Sequence, residues 1–272
     1  MGETRNTGVE LSVTSHNFIG PKFTWDTTLA FSTNKEEVIK TTSEGPLQFG
    51  DYYLIPGEAV KTYYGYKYLG IWGTAQAEEA AKYGQKPGQV HVAEKGEPNY
   101  KLNTDDYYVL GNATPKWSGS LLNNFSYKDF DLSVLLIARW DWTIPYGLTG
   151  WYRTDGINSS PMICDYWTPE NQNARFPRPD ASISNGQDQY QQWANYFDGS
   201  YLKVKTVTLG YTLPKKWLNT LKIDRARIYF TASNPFIWTK CDYLKDYDPE
   251  KGGDDDDAPL SKQYVFGINI SF

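Results

Sequence analysis

Along much of the chain, apolar and polar residues alternate one by one, which is typical of β-strands with one apolar and one polar face. The last nine residues, YVFGINISF, show this most clearly, because apolar side chains occupy every second position up to the final residue. These side chains are Tyr264, Phe266, Ile268, Ile270 and Phe272. Chain ends usually fray in water, so an uninterrupted apolar row at this position indicates that the strand packs against something.

The same alternation predicts seven antiparallel strands, most of them about ten residues long. They fall at residues 9–13, 22–33, 117–126, 130–142, 201–213, 225–238 and 263–272. In the fifth strand the apolar phase shifts by one residue between Val204 and Val207. Such a shift is what a β-bulge produces, so we expect a bulge near Lys205 and Thr206.

Two of the predicted links, HNFIGPK and SYKD, are short, and three are long. Because outer-membrane barrels have short turns at one end and long loops at the other, we expect residues 34–116, 143–200 and 239–262 to be loops at one end. The segment TYYGYKYLGIW then belongs to an excursion outside the sheet, followed by a short helix in AQAEEAAKY. We expect residues 34–116 not to cross the membrane.

Composition narrows the class of protein. Mean hydropathy is −0.60, and the apolar run VLLIA falls far short of the roughly 20 residues that a transmembrane helix needs. A β-barrel remains compatible, since only every second residue faces lipid. Aromatic residues make up 16% of the chain, and many lie near strand ends, as in the girdles of an outer-membrane barrel. They are Trp25, Trp117, Trp140, Trp142, Tyr201, Tyr211, Trp238, Tyr264 and Phe272. A soluble, aromatic-rich carbohydrate-binding β domain is the alternative.

Charge and candidate chemistry exclude other classes. The net charge of −5 offers no basic surface for nucleic acid. His16 and His91 have no metal-ligand spacing, and the spacing of Cys164 and Cys241 leaves open whether they pair. We interpret the run Asp254–Asp257 as a solvated acidic loop. No pair of carboxylates is placed for catalysis, so we expect neither an enzyme nor a bound metal or cofactor.

Aromatic residues in the long loops are the candidates for ligand binding. Trp151, Tyr152, Tyr166 and Trp167 lie in the loop 143–200. Flat rings stack on sugars or peptides, and binding usually resides in large loops on a rigid scaffold. Loop packing and contact with a partner protein are the alternatives for these four side chains.

Several blocks of sequence carry a family resemblance in their order along the chain. They are RNTGVEL, GYKYLGIW, AAKYGQKPG, LGNATPKWSGSLLNNFSYKDFDLSV, YWTPENQNARFPRP, DGSYLKVKTVTLGYTLPKKW, ARIYFTASNPFIWTK and YDPE…YVFGINISF. Together they resemble the C-terminal part of SusC/RagA-family TonB-dependent outer-membrane transporters over essentially all of residues 1–272. In place of the Asp/Asn/Gly-rich loop often found in that family, the chain has only Asp105 and Asp106, so no cation site is expected there.

The resemblance has specific implications for fold and function. It implies an all-β, antiparallel up-and-down transmembrane barrel of about 22 strands, of which this chain supplies about seven, with long extracellular loops. It implies a place in the Gram-negative outer membrane, contact with lipid, import of glycans or peptides with a SusD-like lipoprotein, and contact with TonB through an N-terminal region and plug absent from this chain. We therefore expect the chain alone to be incomplete and not competent for transport. The terminal row from Tyr264 to Phe272 resembles the signal read by the outer-membrane assembly machinery.

Overall fold

The computed structural model describes residues 2–146, 165–178, 188–219, 223–245, 247–252 and 260–272. Within them the chain is almost entirely β-structure, which confirms the all-β prediction. The strands are β1 (Glu3–Ile19), β2 (Phe23–Lys40), β3 (Leu47–Phe49), β4 (Tyr52–Leu54), β5 (Thr62–Tyr66), β6 (Tyr68–Ile71), β7 (Val90–Val92), β8 (Tyr107–Asn112), β9 (Trp117–Tyr127), β10 (Phe130–Trp140), β11 (Thr143–Pro145), β12 (Tyr196–Asp198), β13 (Tyr201–Thr212), β14 (Arg225–Thr239) and β15 (Gln263–Ser271). Two short helices are α1 (Ala77–Lys82) and α2 (Lys215–Leu218).

Seven long strands form one antiparallel sheet in the order β1-β2-β9-β10-β13-β14-β15. These are the seven strands that the alternation predicts. The links at residues 20–22 and 128–129 lie at the same end of the sheet as residues 213–219 and 223–224. The three long connections leave from the other end, and β3 to β8 form separate small sheets there, as expected for the excursion between β2 and β9. No helix among the described residues is long and apolar enough to cross a membrane.

The register sorts the side chains onto two faces. Leu132, Leu209, Phe230 and Phe266 are directly paired neighbours across four strands, and we call their side of the sheet the apolar face. The opposite side, which we call the polar face, carries the side chains of the alternate residues in each strand. Within the described residues the sheet has no second layer over the apolar face, where Leu209 is 47% exposed.

The bulge lies where the sequence predicts it. Leu135 pairs with Thr206 and Leu136 with Val204, so Lys205 is the extra residue of β13. Because one inserted residue reverses the side-chain parity, Val204 and Val207 both reach the apolar face. Lys203 and Lys205 both reach the polar face, where they bind the same carboxylate.

Aromatic rings form two bands on the apolar face. At the long-loop end, Trp117 stacks on Trp140 and Trp140 on Trp238, with centroids 5.9 and 6.0 Å apart. At the short-turn end, rings also contact one another across strands, in the pairs Phe18–Phe23, Trp25–Phe125 and Phe130–Tyr211. The prediction was wrong for two residues: Tyr201 falls on the polar face by its register, Trp142 follows the end of β10, and both are buried in a core cluster.

Strands β1 and β2 are longer than the alternation predicts. Their hairpin continues from Val9 and Thr33 to the pair Glu3 and Lys40, through residues that are mostly charged or polar. Backbone pairing does not require an apolar face, so the ladder persists where the period-2 signal ends. At its tip Val38 is buried and exchanges backbone hydrogen bonds of 2.8 Å with Gly57 and Glu58.

Candidate ligand-binding surfaces

Buried side chains concentrate in the long connections, whose described residues between 41 and 116, 141 and 200, and 240 and 262 we call the loop lobe. Two apolar clusters stabilise it. One comprises Trp142, Ile144, Tyr146, Phe176, Phe197, Tyr201, Leu244 and Tyr247. The other comprises Tyr66, Ile71, Val90, Val92, Trp167 and Ala174. Because burial of large side chains is the main source of stability, these clusters make the lobe a rigid platform on one end of the sheet.

A cleft of about 850 Å³ in the loop lobe is lined mainly by aromatic rings. This volume is within the range of pockets that bind small molecules. Its rings are those of Tyr52, Tyr53, Tyr63, Tyr64, Tyr107, Trp193 and Tyr196, and we call it the tyrosine cleft. Gln48, Asp51 and Gln192 add amide and carboxylate groups to its wall. The cleft therefore offers flat apolar surfaces beside hydrogen-bonding groups.

The rings of the tyrosine cleft hold one another in place. Tyr52 packs on Tyr63 with centroids 5.2 Å apart, and Tyr64 meets Tyr107 edge to face at 5.5 Å. Trp193 and Tyr196 lie parallel, 6.0 Å apart. Burial raises the pKa of Tyr196 to about 12, so its hydroxyl remains a neutral group at physiological pH.

A glycine sets the position of Trp193. A Cβ added at Gly65 would overlap the six-membered ring of Trp193, so any side chain at residue 65 would displace the indole. Gly65 lies in β5, between Tyr64 and Tyr66, whereas Trp193 lies in the turn Gln191–Asn195. The cleft thus depends on close contact between two connections that are far apart in sequence.

Of the aromatic residues that the sequence predicts as ligand contacts, the two that the structure describes lie in different environments. Tyr166 is 43% exposed, so its ring remains a candidate for ligand contact. Trp167 is only 5% exposed and packs in the second core cluster, which favours the alternative of loop packing for this ring. Trp151 and Tyr152 lie outside the described residues. The tyrosine cleft was missed, although the doublets in DYYL, TYYGY and DYYVL were a signal for it.

The polar face carries ion pairs that link strands and loops. At the short-turn end, Nε and Nη2 of Arg227 donate to the two carboxylate oxygens of Asp131 at 2.9 and 2.5 Å. The bridge spans β13, and Gly210 makes this possible because a Cβ there would overlap the Arg227 guanidinium. On β1 and β2, Nδ1 of His16 lies 2.6 Å from Oδ1 of Asp26, and the histidine side chain is exposed.

Near the long-loop end, a turn of the last connection is bound to the polar face by two lysines. Nζ of Lys203 contacts Asp248 and donates to Glu250 at 2.7 Å, and Nζ of Lys205 donates to both oxygens of Glu250 at 2.8 and 2.9 Å. Lys203 is 1% exposed. Burial alone would raise the pKa of Glu250, but the hydrogen bonds from the two lysines outweigh burial and lower it. We call residues 248–252 and the two lysines the latch.

The C-terminal strand lies at one edge of the sheet. Strand β15 pairs only with β14 among the described residues, and its apolar side chains protrude from the apolar face. The exposed fraction is 81% for Phe266 and 86% for Phe272, and Tyr264, Ile268 and Ile270 are also exposed. The row predicted as an assembly signal is therefore fully accessible to a partner.

Other candidate sites have structural explanations. Asp106 is buried and accepts backbone N–H groups of Lys95 and Asn103, both at 2.9 Å, so it stabilises the turn around it. The ring of His91 stacks on Trp72 with centroids 3.5 Å apart, and burial lowers the pKa of His91. Cys241 is a free thiol, whereas Cys164 and Asp254–Asp257 lie outside the described residues. The described part of the chain contains no group of acidic, histidine or cysteine side chains that could hold a metal ion.

The chain is similar to known proteins of one class. No protein-family model matches the chain. Over its whole length the chain is 27% identical to TonB-dependent receptor P3 of Formosa agariphila, and it covers 29% of that receptor. It is 24% identical to TonB-dependent receptor SusC of Bacteroides thetaiotaomicron, of which it covers 27%. The chain thus spans less than a third of the curated relatives that it matches, which are TonB-dependent receptors.

Solved structures agree with this class. The chain superimposes over its whole length on 30% of a chain in the structure of the RagAB peptide transporter, with a TM-score of 0.76 and 23% identity. The RagAB peptide importer in its open-open state gives a TM-score of 0.75 at the same identity. At this identity the superposition shows the fold. Together with the curated relatives, it confirms the resemblance of the chain to TonB-dependent receptors of the SusC/RagA type.

Proposed function

We propose that the chain is a wall segment of an outer-membrane TonB-dependent importer, with its apolar face against lipid and its polar face toward the interior of a barrel. The observation that carries this proposal is the exposed apolar face, bordered by aromatic bands at both ends. A soluble protein of this size normally covers such a surface, whereas the outer wall of a membrane barrel has this same apolar belt and two girdles.

The similarity to SusC and to the RagAB peptide importer supports the rest of the proposal. The whole protein would import a glycan or a peptide without forming or breaking bonds, and a SusD-like lipoprotein would bind at the loop lobe. TonB would act through a region outside this chain, so the chain by itself would not transport. The tyrosine cleft and Tyr166 would provide contact surfaces for the imported ligand or the lipoprotein, and the row ending at Phe272 would be read by the assembly machinery.

A pair of charge substitutions on adjacent residues tests the orientation of the sheet. Leu29 faces the apolar side of β2, midway between Trp25, in one aromatic band, and Thr33, which pairs with Trp117 in the other. Its neighbour Thr28 faces the polar side. The full-length receptor carrying Leu29→Arg or Thr28→Arg would be produced in a Gram-negative host, and its insertion would be followed by membrane fractionation and by heat-dependent gel mobility. An arginine facing lipid costs roughly 2–4 kcal/mol near the midplane, whereas one facing the interior costs little.

We expect Leu29→Arg to reduce insertion strongly and Thr28→Arg to leave it close to wild type. The size and charge of the new side chain are the same in both, so a difference reports the face alone. A soluble carbohydrate-binding domain makes the opposite prediction, since Leu29 is 40% exposed and an arginine there would meet water. Equal insertion of both variants, or a chain that stays folded and monomeric in water without detergent, would overturn the proposal.

A further inference from the structure

One row of polar side chains crosses the polar face at a single level. The register pairs Ser32 with Ser118, Ser118 with Arg139, and Arg139 with Tyr201. Side chains of directly paired residues lie about 5 Å apart, so the row is continuous across β2, β9, β10 and β13. It lines a cavity of about 690 Å³, to which Ser120 and the latch residue Glu250 also contribute.

Arg139 is the cation of this cavity without a partner among the described residues. The charged side chains that line the cavity are those of Glu10, Arg139, Lys205 and Glu250. Lys205 and Glu250 bind each other in the latch. Glu10 of β1 pairs with Ser32 of β2. It lies three strands from Arg139, so the Cα atoms of the two residues are about 14 Å apart at about 4.8 Å per strand. The guanidinium of Arg139 therefore forms no ion pair with a carboxylate of the described residues.

Tyr201 supplies a second, independent observation. Its ring is fully buried and lines the cavity beside Arg139. Its hydroxyl has no hydrogen-bond partner among the described residues. Buried polar groups are nearly always satisfied, and an exception calls for an explanation such as an absent ligand. The phenol O–H of Tyr201 and the guanidinium N–H groups of Arg139, all hydrogen-bond donors, therefore belong to directly paired residues.

From this arrangement we infer that Arg139, Tyr201 and Ser118 form a subsite for a carboxylate group of the imported ligand. The planar fork of arginine matches the two oxygens of a carboxylate, and the phenol and serine hydroxyls donate to the same group. A phosphate is a poorer fit, because the described residues that line the cavity offer no second unpaired cation for its second charge, which would also lie near the Glu250 carboxylate. The inference rests on the proposed function, since it places the ligand on the inner side of a barrel wall.

Binding to the full-length receptor in detergent micelles tests the subsite. The probes are trigalacturonic acid and its fully esterified trimethyl ester, and N-acetylated tetra-alanine with a free or an amidated C-terminus. We expect at least one free-acid probe to bind and its neutral derivative to bind at least tenfold more weakly. This design distinguishes a uronate from a peptide terminus as the source of the carboxylate.

Variants then assign the binding to these residues. We expect Arg139→Gln and Tyr201→Phe each to raise the Kd of the free-acid probe about tenfold or more, and Arg139→Lys to recover part of the loss. Arg225→Gln is the matched control, because Arg225 lies at the opposite end of the polar face. It should leave the Kd unchanged.

Three results would overturn the inference while leaving the importer proposal intact: neither free acid binds, the neutral derivatives bind equally well, or Arg139→Gln behaves like Arg225→Gln. Loss of insertion in Arg139→Gln and Tyr201→Phe, with ligand affinity unchanged in the inserted fraction, would also overturn it, since the row would then serve assembly. Failure of the wild-type receptor to enter the membrane would instead refute the proposed function.

Discussion

The latch predicts a specific local effect of replacing one buried lysine. In Lys203→Met the side chain is one atom shorter and remains unbranched and apolar, but it loses the charge that contacts Asp248 and Glu250. Removal of one partner from a buried ion pair typically destabilises by about 3–5 kcal/mol. Glu250 keeps its two hydrogen bonds to Lys205, so we expect a loss at or just below the lower end of that range, about 2–3 kcal/mol.

Amide hydrogen exchange of the turn measures this quantity directly. Three backbone N–H groups are bonded within the turn: those of Glu250, Lys251 and Gly252, at 3.0–3.1 Å from their acceptors. A loss of 2–3 kcal/mol from local opening corresponds to faster exchange by a factor on the order of a hundred. Amides of the neighbouring strand β13 should keep their protection, because the sheet itself is not altered.

Lys245→Met is the control for loss of a lysine charge. Lys245 pairs with Asp242 at 3.0 Å, but both side chains are largely exposed, and such pairs contribute at most about 1 kcal/mol. The turn should therefore exchange at nearly the wild-type rate in this variant. The interpretation of the latch would be refuted if Lys203→Met left exchange of the turn unchanged, or if both variants accelerated it equally.

Three further predictions follow from single contacts. The pKa of Glu250 is lowered in the folded state, so its ion pairs stabilise the latch above the ordinary glutamate range and weaken as pH falls through the lowered value. The protection factors of the turn amides, which are corrected for the pH dependence of intrinsic exchange, should therefore fall in acid and stay constant from about pH 6 to 8. Gly65→Ala should displace Trp193 and destabilise the loop lobe by about 1–3 kcal/mol, measured by tryptophan fluorescence during urea unfolding, and an unchanged midpoint would contradict the contact. Deletion of Phe272 should lower membrane insertion of the full-length receptor, whereas Trp217→Ala, which alters another exposed aromatic residue, should not; equal insertion would count against an assembly signal.

The sequence predicts the sheet well because its faces follow a simple rule. Successive residues of a strand point to opposite sides, so the alternation around Leu132 or Phe266 directly reports the face. The bulge at Lys205 was predictable for the same reason, since one inserted residue shifts the alternation. The polar extension of β1 and β2 was not, because its backbone pairing continues without any apolar pattern.

The packing of the loop lobe could not be predicted from local sequence patterns. Tyr63 and Tyr196 meet edge to face at 5.2 Å although they are far apart in the chain, and no periodicity links them. The same holds for Trp167, whose burial depends on packing in a cluster built from two separate connections. Aromatic residues in loops look alike in the sequence, and only tertiary contacts decide which become core and which line a cleft.

The turn of the latch, residues 248–252, lies between two cavities. Glu250 forms part of the cavity on the polar face, whereas Lys251 and Gly252 form part of the tyrosine cleft. This turn, only a few residues thick, therefore separates the tyrosine cleft from the cavity on the polar face. The contacts of Lys203 and Lys205 with Glu250 fasten this turn together with the buried ring of Pro249, so a change in any of these three contacts alters the walls of both cavities at once.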